Sequence, residues 1–129
     1  MQRKLLILGS ILGFLAVILG AFGAHGLKQF LSAESLVSFE TGVRYQFYHA
    51  FLSMLIANTS IFSSKTKNIV FWLLLLGVIL FSGSIYLLTT STLTGVSFKS
   101  FAFLTPIGGV FLISAWFVLL FNLLKMREK

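Results

Sequence analysis

The chain has 129 residues, 57% of them hydrophobic and 10% charged, with a net charge of +7 and no cysteine. Soluble domains carry about 25% charged residues, and a chain this short has too much surface for its volume to hide so much apolar area, so a water-soluble fold is excluded. The basic residues stand between apolar runs rather than on one face among aromatics, which excludes a nucleic-acid binder, and without cysteine there are no disulfides, thiolate chemistry or cysteine-ligated metals.

A hydrocarbon core of about 30 Å is crossed by about 20 mostly apolar residues. Residues 5–24 carry no charge and are the first predicted span. Arg3, Lys4 and the small-residue stretch Ala21-Phe22-Gly23 also fit a secretory signal. The apolar run exceeds the roughly 7–15 residues of a signal core, so a retained span is expected. Residues 27–42 are polar with apolar residues interspersed, and Ser32 is placed to cap a helix. From Ala33 onward Leu36, Val37, Phe39 and Glu40 could lead without a break into the second span, and a short interfacial helix is expected here.

Residues 43–62 form the second predicted span, although Arg44, Gln46, His49 and Asn58 fall within it. Omitting it would leave an odd number of crossings and a poorer charge balance. A short loop at residues 63–68 then forces an antiparallel neighbour. Residues 69–88 and 101–124 are the third and fourth spans, with Pro106 in the first turns of the last, where its missing N–H costs little. The expected fold is all-α: one integral membrane domain over residues 1–129, a four-helix antiparallel transmembrane bundle.

Charge orients it. Arg3, Lys4, Lys65, Lys67, Lys125, Arg127 and Lys129 fall on one side, and Lys28, Lys99 and, at the interface, Arg44 on the other. The positive-inside rule then places both termini in the cytoplasm. Lipid tails are as apolar as leucine, so membrane helices associate through close backbone packing and polar contacts. Gly9, Gly13, Ala16, Gly20 and Ala24 recur every three or four residues and make one small-residue face on the first span. This face suits a neighbouring helix of the same chain or a second copy. Gly77, Gly83 and the pair Gly108-Gly109 read the same way.

With this orientation, polar residues gather towards the outer end: His25, Glu40, Arg44, Gln46, Tyr48, His49, Ser82, Ser84, Tyr86 and Thr105. Glu40 and Arg44 are four apart on a helix, a spacing that suits an ion pair. As a structural lock, the cluster would use that pair and a hydrogen bond from His49 to Ser82 or Ser84. As a functional site, it would line a shallow outer cavity that binds a polar head group or small solute, or relays protons through His49 and His25. Catalytic constellations are absent. Two histidines and one distant carboxylate are too few for a metal site, and no cofactor is expected.

Four blocks carry a resemblance: Gly20-Ala21-Phe22-Gly23-Ala24-His25-Gly26-Leu27, Phe39-Glu40-Thr41-Gly42-Val43-Arg44-Tyr45-Gln46-Phe47-Tyr48-His49-Ala50, Leu80-Phe81-Ser82-Gly83-Ser84-Ile85-Tyr86 and Leu104-Thr105-Pro106-Ile107-Gly108-Gly109. In this order they resemble a family of small membrane proteins known as domain of unknown function 423, with Gly42 where alanine would be expected. The resemblance implies four spans in a bacterial plasma membrane with both termini inside, and it implies no activity. The expected role is a structural or accessory membrane component whose partners are the lipid bilayer and a second copy or another membrane protein. The alternative is a small transporter, binder or proton-linked protein that uses the outer polar cluster.

Overall fold

The computed structural model describes residues 1–127, and their only regular structure is helical. Lys129, one of the basic residues used above for orientation, lies outside the described residues. Four long helices follow one another: α1 (Gln2–His25), α2 (Ala33–Asn58), α3 (Ser64–Thr89) and α4 (Leu104–Lys125). A single helical turn at Ser91–Thr94 and a 3-10 turn at Lys99–Phe101 join the last two.

Among the described residues, three segments are long and apolar enough to cross a membrane: Gln2–His25, Ser64–Thr89 and Lys99–Lys125. Between 22% and 33% of their most apolar stretches is buried within the molecule. Most of that apolar surface therefore has no protein partner. Phe14 and Ile113 stand 67% and 69% exposed. α2 differs in kind. Its 26 residues, at 1.5 Å each, are long enough to span, but its composition is too polar for it to count with the other three.

The second helix also corrects the expected boundaries. It begins at Ala33 and runs unbroken to Asn58, so no separate short helix precedes it. Ser32 Oγ accepts from the Ser35 N–H at 3.1 Å and starts the helix. Asn58 ends it by folding its amide back onto the Met54 carbonyl at 2.8 Å. The next helix starts earlier than expected because Ser63 Oγ accepts from the Thr66 N–H at 3.2 Å. The connection is therefore residues 59–63, not 63–68.

Contacts define the arrangement. α1 packs along α2 and α3 along α4, and α2 and α3 join the two pairs. Successive neighbours run in opposite senses: a Cβ on Gly9 would meet Met54, one on Gly20 would meet Val43, and one on Gly23 would meet Phe39. Leu5, Leu8, Ile56, Leu74, Ala115 and Leu119 bring all four helices into one core, and Ala16, Leu27, Leu31, Phe39 and Val43 form a second cluster at the other end.

The small-residue face of α1 lies against α2, with one exchange. Gly9 and Ala16 are buried and Gly13 and Gly20 are partly buried, but Ala24 is exposed and Gly23 is buried in its place. The three-and-four rhythm steps from Gly20 to Gly23, where a Cβ would sit 2.9 Å from the Phe39 ring. Gly23→Val is therefore expected to cost about 1–3 kcal/mol through overpacking. Ala24→Leu should change stability by less than about 0.5 kcal/mol. Thermal unfolding in detergent micelles measures both.

Midway, α3 changes gauge. Residues Ile79–Gly83 form a π-helical turn, and there the backbone of Leu80 and Phe81 comes against Gly108 of α4.

Candidate functional site

The polar residues expected at one end fall into two groups. Gln46, His49, Ser82 and Ser84 are buried, and Tyr86 and Thr105 are partly buried. His25, Glu40, Arg44 and Tyr48 face outward. On α2 the division follows helical spacing: positions 42, 46, 49 and 53 point into the bundle, and positions 40, 44 and 48 point away from it.

Gln46 sits at the junction of three helices. Its side chain is 3% exposed. The Tyr86 hydroxyl of α3 donates to Gln46 Oε1 at 2.6 Å, and Gln46 Nε2 donates to the Leu12 carbonyl of α1 at 2.8 Å. One turn earlier, Ser82 Oγ donates to the Gly42 carbonyl at 2.7 Å. An alanine at position 42 would put its Cβ 3.0 Å from Tyr86 and 3.2 Å from Ile85. Gly42 thus lets α3 lie close enough for both bonds.

His49 has a different partner from the one expected. Its Nδ1 lies 2.6 Å from the Tyr45 carbonyl, and the Trp116 indole N–H of α4 donates to its Nε2 at 3.1 Å. A carbonyl only accepts, so Nδ1 carries the proton and Nε2 is the acceptor. Neither serine is free for His49: Ser82 is engaged with Gly42, and Ser84 bonds the Phe81 carbonyl at 3.0 Å and Thr105 Oγ1 at 2.5 Å. Because Ser82 and Ser84 are two residues apart on a helix, one faces α2 and the other α4.

The expected Glu40–Arg44 ion pair does not form. Arg44 Nη2 instead donates to Thr41 Oγ1 at 3.0 Å, and that hydroxyl is itself held by the Val37 carbonyl at 3.0 Å. Thr41 lies one turn before Arg44 and offers a lone pair along the helix surface, so the guanidinium need not reach Glu40. Nor does His25 meet His49. It ends α1 beyond the level of Phe39, ten residues and about 15 Å along α2 from His49.

Several contacts escaped the sequence reading. Ser53 Oγ donates to the Leu5 carbonyl at 2.7 Å, and Thr66 donates to Asn122 Oδ1 at 3.1 Å. Ser53 continues the inward stripe of Gln46 and His49, a spacing visible in sequence. Trp116 gave no such signal. Among the described residues, no buried side-chain nitrogen or oxygen lacks a partner. No group of three His, Asp or Glu side chains among them could hold a metal ion.

Three of the outer polar residues border separate hollows: Thr105 one, Ser84 a second with Phe98 and Leu104, and His49 a third. A groove of about 360 Å³ opens there between Val37, Ser38, Thr41, Leu88 and Thr89, and of the ten expected residues only Thr105 lines it. His49 borders a different, mainly apolar hollow with Tyr45, Phe81 and Trp116.

The family described as "Protein of unknown function (DUF423)" matches residues 19–109, a stretch that holds all ten of these residues. The chain belongs to this family. It is 39% identical over 125 residues to a UPF0382 membrane protein of Staphylococcus saprophyticus, covering 97% of this chain and 100% of that one. It is 35% identical over 132 residues to the UPF0382 inner membrane protein YgdD of Escherichia coli K12, covering 99% and 95%. A UPF0382 membrane protein of Staphylococcus epidermidis is 41% identical over 124 residues, covering 96% and 98%. No solved structure matches. Family membership and the three apolar helices make this chain a membrane protein. The relatives' names carry a membrane location and no reaction.

Proposed function

We propose that the chain is a four-span structural or accessory component of a bacterial plasma membrane, with both termini cytoplasmic, and that its buried polar residues clasp the helices together. The reading rests on one observation: the stripe of α2 that carries Gln46, His49 and Ser53 is turned inward and fully paired. A polar helix is tolerated in hydrocarbon when its neighbours satisfy its side chains. Gln46, His49 and Ser53 find partners on α1, α3 and α4. With α2 spanning, an even number of crossings brings the basic residues of both ends and of residues 59–68 to one side, in keeping with the bias of Lys and Arg.

Because the chain has no native cysteine, labelling of single introduced cysteines gives an unambiguous test. An impermeant maleimide should modify Gln29→Cys and Ser97→Cys in intact cells. It should modify Ser60→Cys and Met126→Cys only after permeabilisation. Labelling of positions 29 and 60 from the same side would remove α2 from the membrane and end the four-span reading.

A further inference from the structure

α2 and α4 touch little apart from the Trp116–His49 hydrogen bond. Towards the lysine-rich end they part and leave an apolar groove of about 400 Å³, lined by Leu52, Leu55, Ile56, Trp116 and Leu119 and ending at Thr59. The groove opens outward. Leu55 is 67% exposed and Trp116 50%. In a bilayer such a groove fills with hydrocarbon, and the charge at its mouth selects which.

Lys67 Nζ sits at that mouth, donating to the Thr59 carbonyl at 2.6 Å. An ammonium carries three donors, and this contact uses one. Arg3, Lys4, Lys65, Lys125 and Arg127 lie at the same end. Among the described residues, the acidic ones, Glu34 and Glu40, belong to the opposite end of α2. The mouth therefore stands in a strongly positive field. Basic pockets between membrane helices take anionic head groups.

We propose that the α2–α4 groove holds an acyl chain of an anionic glycerophospholipid whose phosphate pairs with Lys67. This goes beyond the clasp described above and rests on that reading's placing α2 in the membrane, since α2 forms one wall of the groove. A zwitterionic lipid fits the same groove but brings no net charge to its mouth.

The test uses the whole protein with phosphatidylglycerol and phosphatidylcholine of identical acyl chains, mixed in equal amounts, with retained lipid counted by native mass spectrometry. Phosphatidylglycerol should be retained about fivefold over phosphatidylcholine, the worth of one basic side chain at an anionic surface. Lys67→Gln should bring that preference close to one, and Lys67→Arg should keep it. Leu55→Trp, which fills the groove from its exposed wall, should abolish retention of both lipids while leaving the protein folded. Equal retention by the unaltered protein, or an undiminished preference in Lys67→Gln, would overturn the proposal. So would a concentration-dependent dimer abolished by Leu55→Trp, which would give the groove to a second copy. Cysteine labelling reads the span count separately, so failure of that reading would be distinct.

Discussion

Gly108→Ala is expected to destabilise the protein by about 3 kcal/mol, the upper end of ordinary overpacking. A Cβ at position 108 would overlap the backbone of Leu80 and Phe81 within the π-helical turn of α3. A side chain in the way can rotate; a backbone in the way can move only with its helix. The added methyl must therefore push α3 and α4 apart, and in lipid close backbone packing is a main source of helix adhesion. Two neighbouring glycines serve as controls. A Cβ on Gly109 would meet only the Phe81 ring, at 3.7 Å or more, and one on Gly83 would meet nothing within 4 Å. Gly83→Ala should even stabilise slightly, since alanine is the better helix former. Unfolding by added sodium dodecyl sulfate ranks the three. A Gly108→Ala protein as stable as the parent would show that this close approach is not what joins α3 to α4.

Gln46→Leu is expected to cost about 1–2 kcal/mol. Interhelical hydrogen bonds in membranes contribute on average about 0.6 kcal/mol each, up to about 1.7, and this residue makes two. Leucine fills the space but leaves the Tyr86 hydroxyl without its acceptor. Removing the orphaned group as well should help: the double variant Gln46→Leu, Tyr86→Phe should be no less stable than Gln46→Leu alone. Non-additivity of that kind identifies residues acting through one network. If the two losses simply add, the tyrosine and glutamine act independently and the clasp is not a unit.

Much of the architecture was legible in the sequence because lipid imposes a length and an apolarity that can be counted. The apolar runs of α1, α3 and α4 lie within or close to their expected limits. α2 was harder. Its apolar stretch is short, and its first ten residues, capped by Ser32, read as a short helix at the interface, whereas the buried Phe39 belongs to the same unbroken helix as the span. Its polar residues were found, but the 40–44–48 stripe drew attention through its charges, while the buried partners lie on the 42–46–49–53 stripe. Carbonyl acceptors such as those of Leu5, Leu12 and Gly42 leave no trace in a sequence, because every residue has one. The exchange of Gly23 for Ala24 depended on the phase of α1 against Phe39, which spacing alone leaves open by one residue. The π turn of α3 has no compositional sign.

A chain with three oily helices and one polar one also imposes an order on its own biogenesis. Charged and polar side chains disfavour insertion of a lone helix, so the segment that carries Arg44, Gln46 and His49 is a poor candidate to partition alone as it leaves the ribosome. α1 has emerged by then, and its Leu5 and Leu12 carbonyls offer Ser53 and Gln46 their first partners. Tyr86 and Trp116 are translated 40 and 67 residues after the side chains they contact. With α2 spanning as proposed, insertion is expected to proceed as a preformed hairpin of α1 and α2, with the later helices arriving to seal groups that the hairpin alone leaves open.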